Sequence, residues 1–294
     1  MVRVAEEQTL APRAGRREWS ALTVLVLVVV LIAVDNTVLY LAVPSMAADI
    51  APSSTQLLWI GDIYSFVLAG LLITMGNLAD RIGRKRLLLI GAGGFGVASV
   101  IAAFAPNPEI LIAARVLLGV AGATLMPSTL AIIRATFLDA TQRTTAIAIW
   151  AMGATAGAAV GPLVGGVLLE NFWWGSVFLI NVPVMVIVLV AGPILLSESR
   201  GSSALTIDVL SALLSILAIV PVVYAVKHWA GSGLDWSVPV TAAFGLIMGY
   251  VFVRRQMRLP NPLLDLSLFR MPAFSGAVAA NGLAIFAFLG LLYF

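Results

Sequence analysis

The sequence predicts an all-α polytopic membrane protein, and two observations lead to this fold class. Hydrophobic residues make up 61% of the 294 residues and charged residues only 11%, whereas about a quarter of the residues in a soluble domain are charged. The apolar residues are also grouped into runs of about 20, the length that a helix needs to cross the hydrocarbon core of a bilayer. We therefore expect a bundle of membrane-spanning helices.

The apolar runs predict nine membrane-spanning segments. In chain order they are 20–41, 57–76, 87–105, 110–133, 144–168, 174–196, 207–226, 236–253 and 273–294. The connections between them are too short to fold as separate soluble domains. The longest inner connection, 254–272, has leucines and a phenylalanine between prolines, which predicts either a short amphipathic segment on the inner surface or an ordinary loop.

The basic residues predict the orientation, because cytoplasmic connections are enriched in Lys and Arg. If the tail 1–19 is cytoplasmic, the inner side holds all but two of the 17 Lys and Arg residues. The exceptions are Lys227 in an outer loop and Arg115 inside a span. We therefore predict a multi-pass protein of the cell (plasma or inner) membrane with a cytoplasmic N-terminus. The basic residues lie in short connections, where they determine the orientation of the helices, so nucleic acid is not an expected partner.

Several classes of chemistry are disfavoured by the residues that the sequence lacks. The chain has no Cys and a single His, which excludes disulfides and thiol nucleophiles and leaves little from which to build a metal site. No phosphate-binding P-loop occurs, so ATP-driven pumping has no support. We predict that the protein is not an enzyme, with no catalytic residue, no metal and no cofactor.

The densest charge cluster lies between the second and third apolar runs. Residues 80–86 hold one acidic and four basic side chains, which cannot lie in hydrocarbon and so predict a tight turn at the cytoplasmic surface. Gly83 allows the chain to reverse. Asp80 places a carboxylate near the N-terminal end of the third helix, where the helix dipole favours an anion. An anchor for topology alone would explain the basic residues but not Asp80 or the glycines.

This loop resembles the signature loop between helices 2 and 3 of the major facilitator superfamily. The residues that carry the resemblance are Gly76, Leu78, Asp80, Arg81, Gly83, Arg84 and Lys85. In that family the Asp and Arg residues of the loop form ion pairs that latch the cytoplasmic gate. The resemblance implies that Asp80 and Arg84 are gate residues here.

A second motif lies in the fifth apolar run, where small residues recur at helical spacing. Its residues are Gly153, Gly157, Gly161, Pro162, Gly165 and Gly166. An interval of four places glycines on one face of a helix and lets another helix approach closely. Close helix packing is one interpretation. The pattern also resembles the fifth-helix motif of exporters in the same superfamily, which implies outward transport.

Three ionisable residues lie inside predicted spans. Asp35, Asp62 and Arg115 are each five or six residues from the outer end of a span, which places them roughly 8–9 Å below the outer hydrocarbon edge. A charge at that depth costs at least a few kcal/mol, so it normally faces a partner or a wet cavity. Arg115 with one acid could form a purely structural pair. The second carboxylate would remain available to hold a proton or a cation in alternation.

The segments around these residues resemble the 14-helix drug:proton antiporters of the superfamily. Asp35-Asn36-Thr37 is similar to their first-helix motif, and 59–65 is similar to the second-helix pattern of the exporters of quaternary ammonium antiseptics and dyes. Arg115-x3-Gly119-x2-Gly122 resembles the fourth-helix motif associated with proton coupling, and 179–183 resembles the start of helix 6. By position, Trp59 and Tyr64 could stack on an aromatic cation, although anchoring in the membrane interface explains Trp59 equally well.

The resemblance implies the facilitator fold of two six-helix bundles around a midplane cavity. On that basis 20–196 is the N-terminal bundle, 197–253 holds two linker helices, and 273–294 is the first helix of an incomplete second bundle. The chain would be truncated and inactive alone, needing the missing C-terminal half or a second copy as partner.

The resemblance also implies a function: a proton-driven antiporter that exports lipophilic cationic drugs, antiseptics and dyes. Its partners would be the bilayer, protons and small lipophilic cations, and the proton gradient would replace any cofactor. The alternatives are an exporter of neutral or anionic metabolites and a membrane fragment that does not transport but binds another chain through its glycine faces.

Overall fold

The computed structural model describes residues 12–201, 208–260, 262 and 264–293. The chain divides into two compact units, one that ends at Ile207 and one that begins at Asp208. Among the described residues all regular structure is helical, as the all-α prediction requires. The two units are described separately.

In the part of the first unit that the structure describes, there are seven helical segments. They are α1 (Arg16–Ile50), α2 (Ser54–Ile82), α3 (Arg84–Ala103), α4 (Pro108–Thr136), α5 (Ala140–Asn171), α6 (Ser176–Leu179) and α7 (Asn181–Leu195). The second unit contains α8 (Val209–Ser232), α9 (Ser237–Gln256), a short 3-10 turn (Leu266–Arg270) and α10 (Pro272–Tyr293). Within the described residues, seven helices, α6 and α7 counting as one, are long and apolar enough to cross a membrane, and a shorter apolar stretch covers Leu210–Val226 in α8.

Local sequence determines where several helices begin. Ser53 accepts a hydrogen bond from the backbone N–H of Gln56, whose side chain accepts one in return from the Ser53 N–H, and this pair starts α2. The side chain of Asn107 caps α4 ahead of a proline at its first position. Asp139 caps α5. Each cap satisfies a backbone donor that the helix itself leaves unpaired.

Two of the predicted spans differ in detail from the helices that contain them. The first span was predicted to end at residue 41, but α1 continues through Pro44 to Ile50, because a helix does not have to end where its apolar character ends. The sixth span, predicted at 174–196, is confirmed as one apolar stretch, Ser176–Leu195, with a turn at Ile180 that separates α6 from α7. Pro183 has no N–H to donate to the preceding turn, which favours a break at this point.

The close-packing prediction for the fifth run is confirmed for one face of α5. The glycines that are buried against α1 are Gly153, Gly157, Gly161 and Gly165. A Cβ at Gly157 would lie 2.5 Å from the carbonyl oxygen of Val30, so only glycine permits this approach of the two backbones. Gly166 has nothing within 4 Å of its Cβ position and Pro162 is exposed. Neither residue therefore belongs to the packing face.

Gly157→Ala should destabilise the first unit, and Gly166→Ala is its matched control on the same helix. The new methyl group at 157 must push α1 away, which we expect to cost about 1–3 kcal/mol, the usual penalty for overpacking. At 166 the methyl group meets open space, and alanine is the better helix former by up to ~1 kcal/mol. Denaturant unfolding of the purified chain in detergent measures both changes. Equal effects at the two positions would contradict the assigned packing.

Candidate functional site

A buried ion pair joins α1 to α4 within the first unit. Nη1 of Arg115 lies 3.1 Å from Oδ2 of Asp35. Both residues are only 1% exposed. The sequence placed these side chains at similar depth without deciding which acid pairs with Arg115, and the structure assigns Asp35.

The remaining contacts of the guanidinium come from α2. Nε of Arg115 donates to the carbonyl oxygen of Ile60 at 3.1 Å. The face of the Tyr64 ring lies under the guanidinium carbon, 4.5 Å from it, an arrangement that stabilises a cation through the ring quadrupole. A carboxylate, a carbonyl and an aromatic face therefore surround the buried positive charge.

The two glycines of the fourth-helix motif explain how α4 reaches α2 so closely. A Cβ at Gly119 would lie 2.8 Å from the carbonyl oxygen of Tyr64, and one at Gly122 would lie 3.2 Å from the Tyr64 hydroxyl. Residues at intervals of four and three share a helix face, so these glycines lie on the same side of α4 as Arg115. They bring the guanidinium against the ring of Tyr64.

Asn181 completes the site and was not among the predicted site residues. It is the first residue of α7 and is fully buried. Its Nδ2 donates to Oδ1 of Asp35 at 2.8 Å and to Oγ of Ser99, on α3, at 3.1 Å. No donor from the described residues reaches its Oδ1. The available signal was an amide side chain at the start of an apolar helix, followed by Pro183.

Chemically, the site is an enclosed pair of opposite charges. Removing one partner of such a pair leaves the other uncompensated, at a cost of about 3–5 kcal/mol. Protonation of Asp35 would have the same consequence for Arg115 unless the helices rearranged. The arrangement can therefore act as a structural joint or as a switch that couples proton binding to movement.

The structure does not place all predicted site residues in this network. Asp62 and Trp59 are half-buried. Asp62 precedes Tyr64 by two residues, so the two side chains lie about 200° apart around the axis of α2 and face different sides of the helix. Arg115 and Asn181 enclose Asp35, which is only 1% exposed, so Asp62 is the more accessible of the two carboxylates. Tyr64, which was predicted to stack on an aromatic cation, is 0% exposed, and in this conformation the cation on its face is Arg115.

At the loop between α2 and α3, the predicted ion pair between Asp80 and Arg84 is present. Oδ1 of Asp80 accepts from Nε of Arg84 at 2.8 Å, and Nη1 of Arg84 reaches the carbonyl oxygen of Ala131 on α4 at 3.4 Å. Gly83 has a φ of +113°, a region that residues with side chains rarely adopt. The pair therefore spans the break between α2 and α3.

The other predicted loop residues have separate positions. Arg81 is exposed. Nζ of Lys85 donates to the carbonyl oxygen of Pro193 at 2.8 Å, which ties the loop to α7. Gly76 faces Pro127, with 3.6 Å between its Cβ position and the proline Cβ. Of these, Lys85 joins the loop to another helix directly.

The segment 196–201, which we call the strap, runs along this loop. The N–H of Arg84 donates to the backbone carbonyl oxygen of Ser199 at 3.0 Å. The N–H of Gly201 donates to the backbone carbonyl oxygen of Asp80 at 2.9 Å. The carboxylate of Glu198 accepts from the N–H groups of Lys85 and Arg86, each at 3.1 Å.

This strap corrects the role predicted for Asp80 at the start of α3. The anion that accepts the free N–H groups there is Glu198, while Asp80 binds the side chain of Arg84. The backbone angle of Gly83 favours glycine, and a Cβ there would lie 2.7 Å from the Glu198 carboxylate, so a larger residue would also displace that side chain. No sequence pattern predicted Glu198, because the residues that it contacts are more than 100 positions away along the chain.

Glu198→Ala should release the strap, with Glu170→Ala at the exposed end of α5 as the matched control. Loss of a cap of this kind costs about 0.5–2 kcal/mol. Because Arg200 lies within the strap, trypsin should cleave after it several-fold faster in Glu198→Ala than in the parent chain. Limited proteolysis followed by mass spectrometry measures this rate. An unchanged rate, or one equally raised in the control, would contradict the proposed restraint.

Comparison with known proteins gives the family of this chain. The profile of the Major Facilitator Superfamily matches residues 25–294. The chain is 52% identical over 282 residues to the multidrug efflux pump LfrA of Mycolicibacterium smegmatis, covering 96% of the chain and 56% of LfrA. It is 42% identical over 254 residues to the methyl viologen resistance protein SmvA of Salmonella typhimurium, covering 86% of the chain and 51% of SmvA. The chain thus spans about half the length of these curated relatives.

The fold agrees with this assignment. A crystal structure of the peptide transporter POT in complex with sulfate matches with a TM-score of 0.60 at 17% identity, covering 86% of the chain and 55% of POT. At such identity the likeness concerns the fold alone. The all-helical architecture, the loop between α2 and α3 and the match over nearly the whole sequence show that the chain belongs to the Major Facilitator Superfamily, a family of membrane transporters rather than enzymes.

Proposed function

We propose that this chain is part of a proton-coupled antiporter that exports lipophilic organic cations across the cell membrane. The observation that carries the proposal is the enclosed Asp35–Arg115 pair in membrane-spanning helices. Ionisable residues at such depth are costly and typically belong to proton or substrate pathways. A carrier without a nucleotide site needs an ion gradient to move a substrate outward, and a buried carboxylate is a suitable proton carrier.

The relatives support the substrate class. One is named for multidrug efflux and another for resistance to methyl viologen, which is a doubly charged quaternary aromatic cation. Lipophilic cations need a carboxylate or an aromatic face for recognition inside a membrane. Substrate and proton compete readily when both bind at acidic groups.

In the proposed mechanism, Asp35 carries the proton. When Asp35 is ionised, it pairs with Arg115 and accepts from Asn181, as seen here. When it is protonated, the guanidinium loses its counter-charge and must find water or another acceptor. Because that loss is expensive in a buried site, the protonated state favours a different arrangement of α1 and α4. Proton binding is thereby linked to a change of conformation.

Asp62 is the proposed recognition group for the cation. It lies on α2 inside a span and is half-buried, so it is more accessible than Asp35. Trp59 lies one turn earlier on the same helix, and its ring contacts Phe66 edge-on, with 6.4 Å between the centroids. A carboxylate with aromatic rings near it suits a flat lipophilic cation.

The gate and the overall assembly complete the proposal. The pair between Asp80 and Arg84, held by the strap, closes the cytoplasmic end, and its opening would admit substrate from the cytoplasm. Basic residues on inner connections support a cytoplasmic N-terminus. Because the chain spans about half the length of its relatives, we propose that transport requires a C-terminal half or a second copy.

The test measures ethidium transport in everted vesicles with an imposed pH gradient. The chain is expressed alone and joined to the remaining C-terminal part of the M. smegmatis relative. We expect the joined protein to transport and the chain alone to be inactive. Asp35→Asn and Asp62→Asn should each lower the rate at least tenfold, because one removes the proton site and the other the cation site.

Asp139→Asn is the matched control, since Asn caps a helix as well as Asp does and the charge change is the same. Membrane levels of each variant are compared by gel filtration of a fluorescent fusion. Asp35→Glu should retain partial coupling, because it preserves a titratable carboxylate. If Asp35→Asn and Asp62→Asn both leave transport intact, the assignment fails. If only Asp62→Asn is silent, cation recognition lies elsewhere.

A further inference from the structure

The second unit contains a groove at the end of α9 that no part of the proposed transport mechanism uses. It has a volume of about 520 Å³ and lies between the start of α8 and the end of α9. Its lining residues are Leu210, Leu214, Tyr250, Val251, Arg254, Arg255, Arg258 and Leu259. Three arginines thus share one groove with aliphatic and aromatic side chains.

The positive charge of the groove is only partly neutralised. Arg255 forms a forked pair with Asp208, with Nη2 at 3.0 and 3.1 Å from the two carboxylate oxygens. The guanidinium of Arg254 lies 5.7 Å from the centre of the Tyr250 ring. Among the described residues no carboxylate lies within ion-pair distance of Arg254 or Arg258. Two exposed guanidinium groups therefore remain available to an anion.

The arginine in the pair is held rigidly by buried neighbours. Ser211 donates its hydroxyl proton to Asp208, and Gln256 donates to the Ser211 hydroxyl at 2.8 Å. Ser211 and Gln256 are 0% and 2% exposed. This cluster joins α8 to α9 and keeps the end of α9, with Arg254 and Arg258, in a defined position.

The apolar residues of the groove extend from its arginines in one direction, back along α9. Ile247, Tyr250, Val251 and Arg254 follow helical spacing on one side of α9, and Arg258 lies in the turn just after the helix, so apolar residues precede the arginines along the stripe. Ile247 is 57% and Tyr250 is 60% exposed. On α8, Leu210 and Leu214 add a second apolar wall. The groove therefore has a cationic end followed by an apolar track along the helix.

We propose that this groove binds an anionic phospholipid of the inner leaflet. Guanidinium groups recognise phosphate through forked hydrogen bonds, and the apolar track would take the acyl chains. The basic residues predict that this end of α9 lies on the cytoplasmic side, where anionic lipids give the membrane surface its negative potential. A soluble phosphate would use the arginines but leave the track unused.

Native mass spectrometry of the purified 294-residue chain in detergent tests the proposal with phosphatidylglycerol and phosphatidylcholine. We expect phosphatidylglycerol to bind in preference to phosphatidylcholine. The double variant Arg254→Gln, Arg258→Gln should weaken that binding on the order of tenfold or more. Both side chains are exposed and the Asp208–Arg255 pair is untouched, so the variant should melt at the parent's temperature in the absence of lipid.

The control is the double variant Arg134→Gln, Arg143→Gln, which removes the same charge from the predicted cytoplasmic ends of α4 and α5. It should bind phosphatidylglycerol as the parent does. Glycerol phosphate, the headgroup without acyl chains, should compete only weakly. Equal binding of the two lipids, equal loss in the control, or competition by glycerol phosphate as strong as that of the intact lipid would each overturn the proposal.

Discussion

The organising interaction of the first unit is the pair formed by Asp35 and Arg115. Two full charges within an apolar bundle must compensate each other, and this requirement brings several helices to one point. Asp35 comes from α1, Arg115 from α4, and Asn181 from the start of α7. The carbonyl oxygen of Ile60 and the ring of Tyr64 come from α2. A change in the charge of the pair therefore affects the packing of all these helices together.

Glycines allow the helices around the buried pair to pack closely, and α4 links that pair to the loop between α2 and α3. Gly119 lets α4 approach α2, while Gly157 lets α5 approach α1. Both contacts involve helices that contribute to the buried pair or pack directly on one that does. At the other end of α4, Arg84 reaches the carbonyl oxygen of Ala131. The same helix thus contributes Arg115 to the buried pair and contacts the loop between α2 and α3.

Features that depend on local sequence pattern could be predicted, whereas features that depend on contacts between residues distant in sequence could not. Apolar runs and the in-span charges placed the helices and put Asp35 at the depth of Arg115. They could not choose between Asp35 and Asp62, since the choice depends on how α1 and α2 face α4. Asn181 was missed because one amide in an apolar run carries little signal alone. Glu198 was missed because its partners, the N–H groups of Lys85 and Arg86, are distant in sequence.

The most direct test of the central claim is a double-mutant cycle on the buried pair. The free energy of unfolding is measured in detergent for Asp35→Asn, Arg115→Gln and the variant with both changes. If each side chain compensates the other's charge, each single change should cost about 3–5 kcal/mol, and the double change should cost clearly less than their sum. If the two costs add to within about 0.5 kcal/mol, the side chains act independently and the pair does not organise the site.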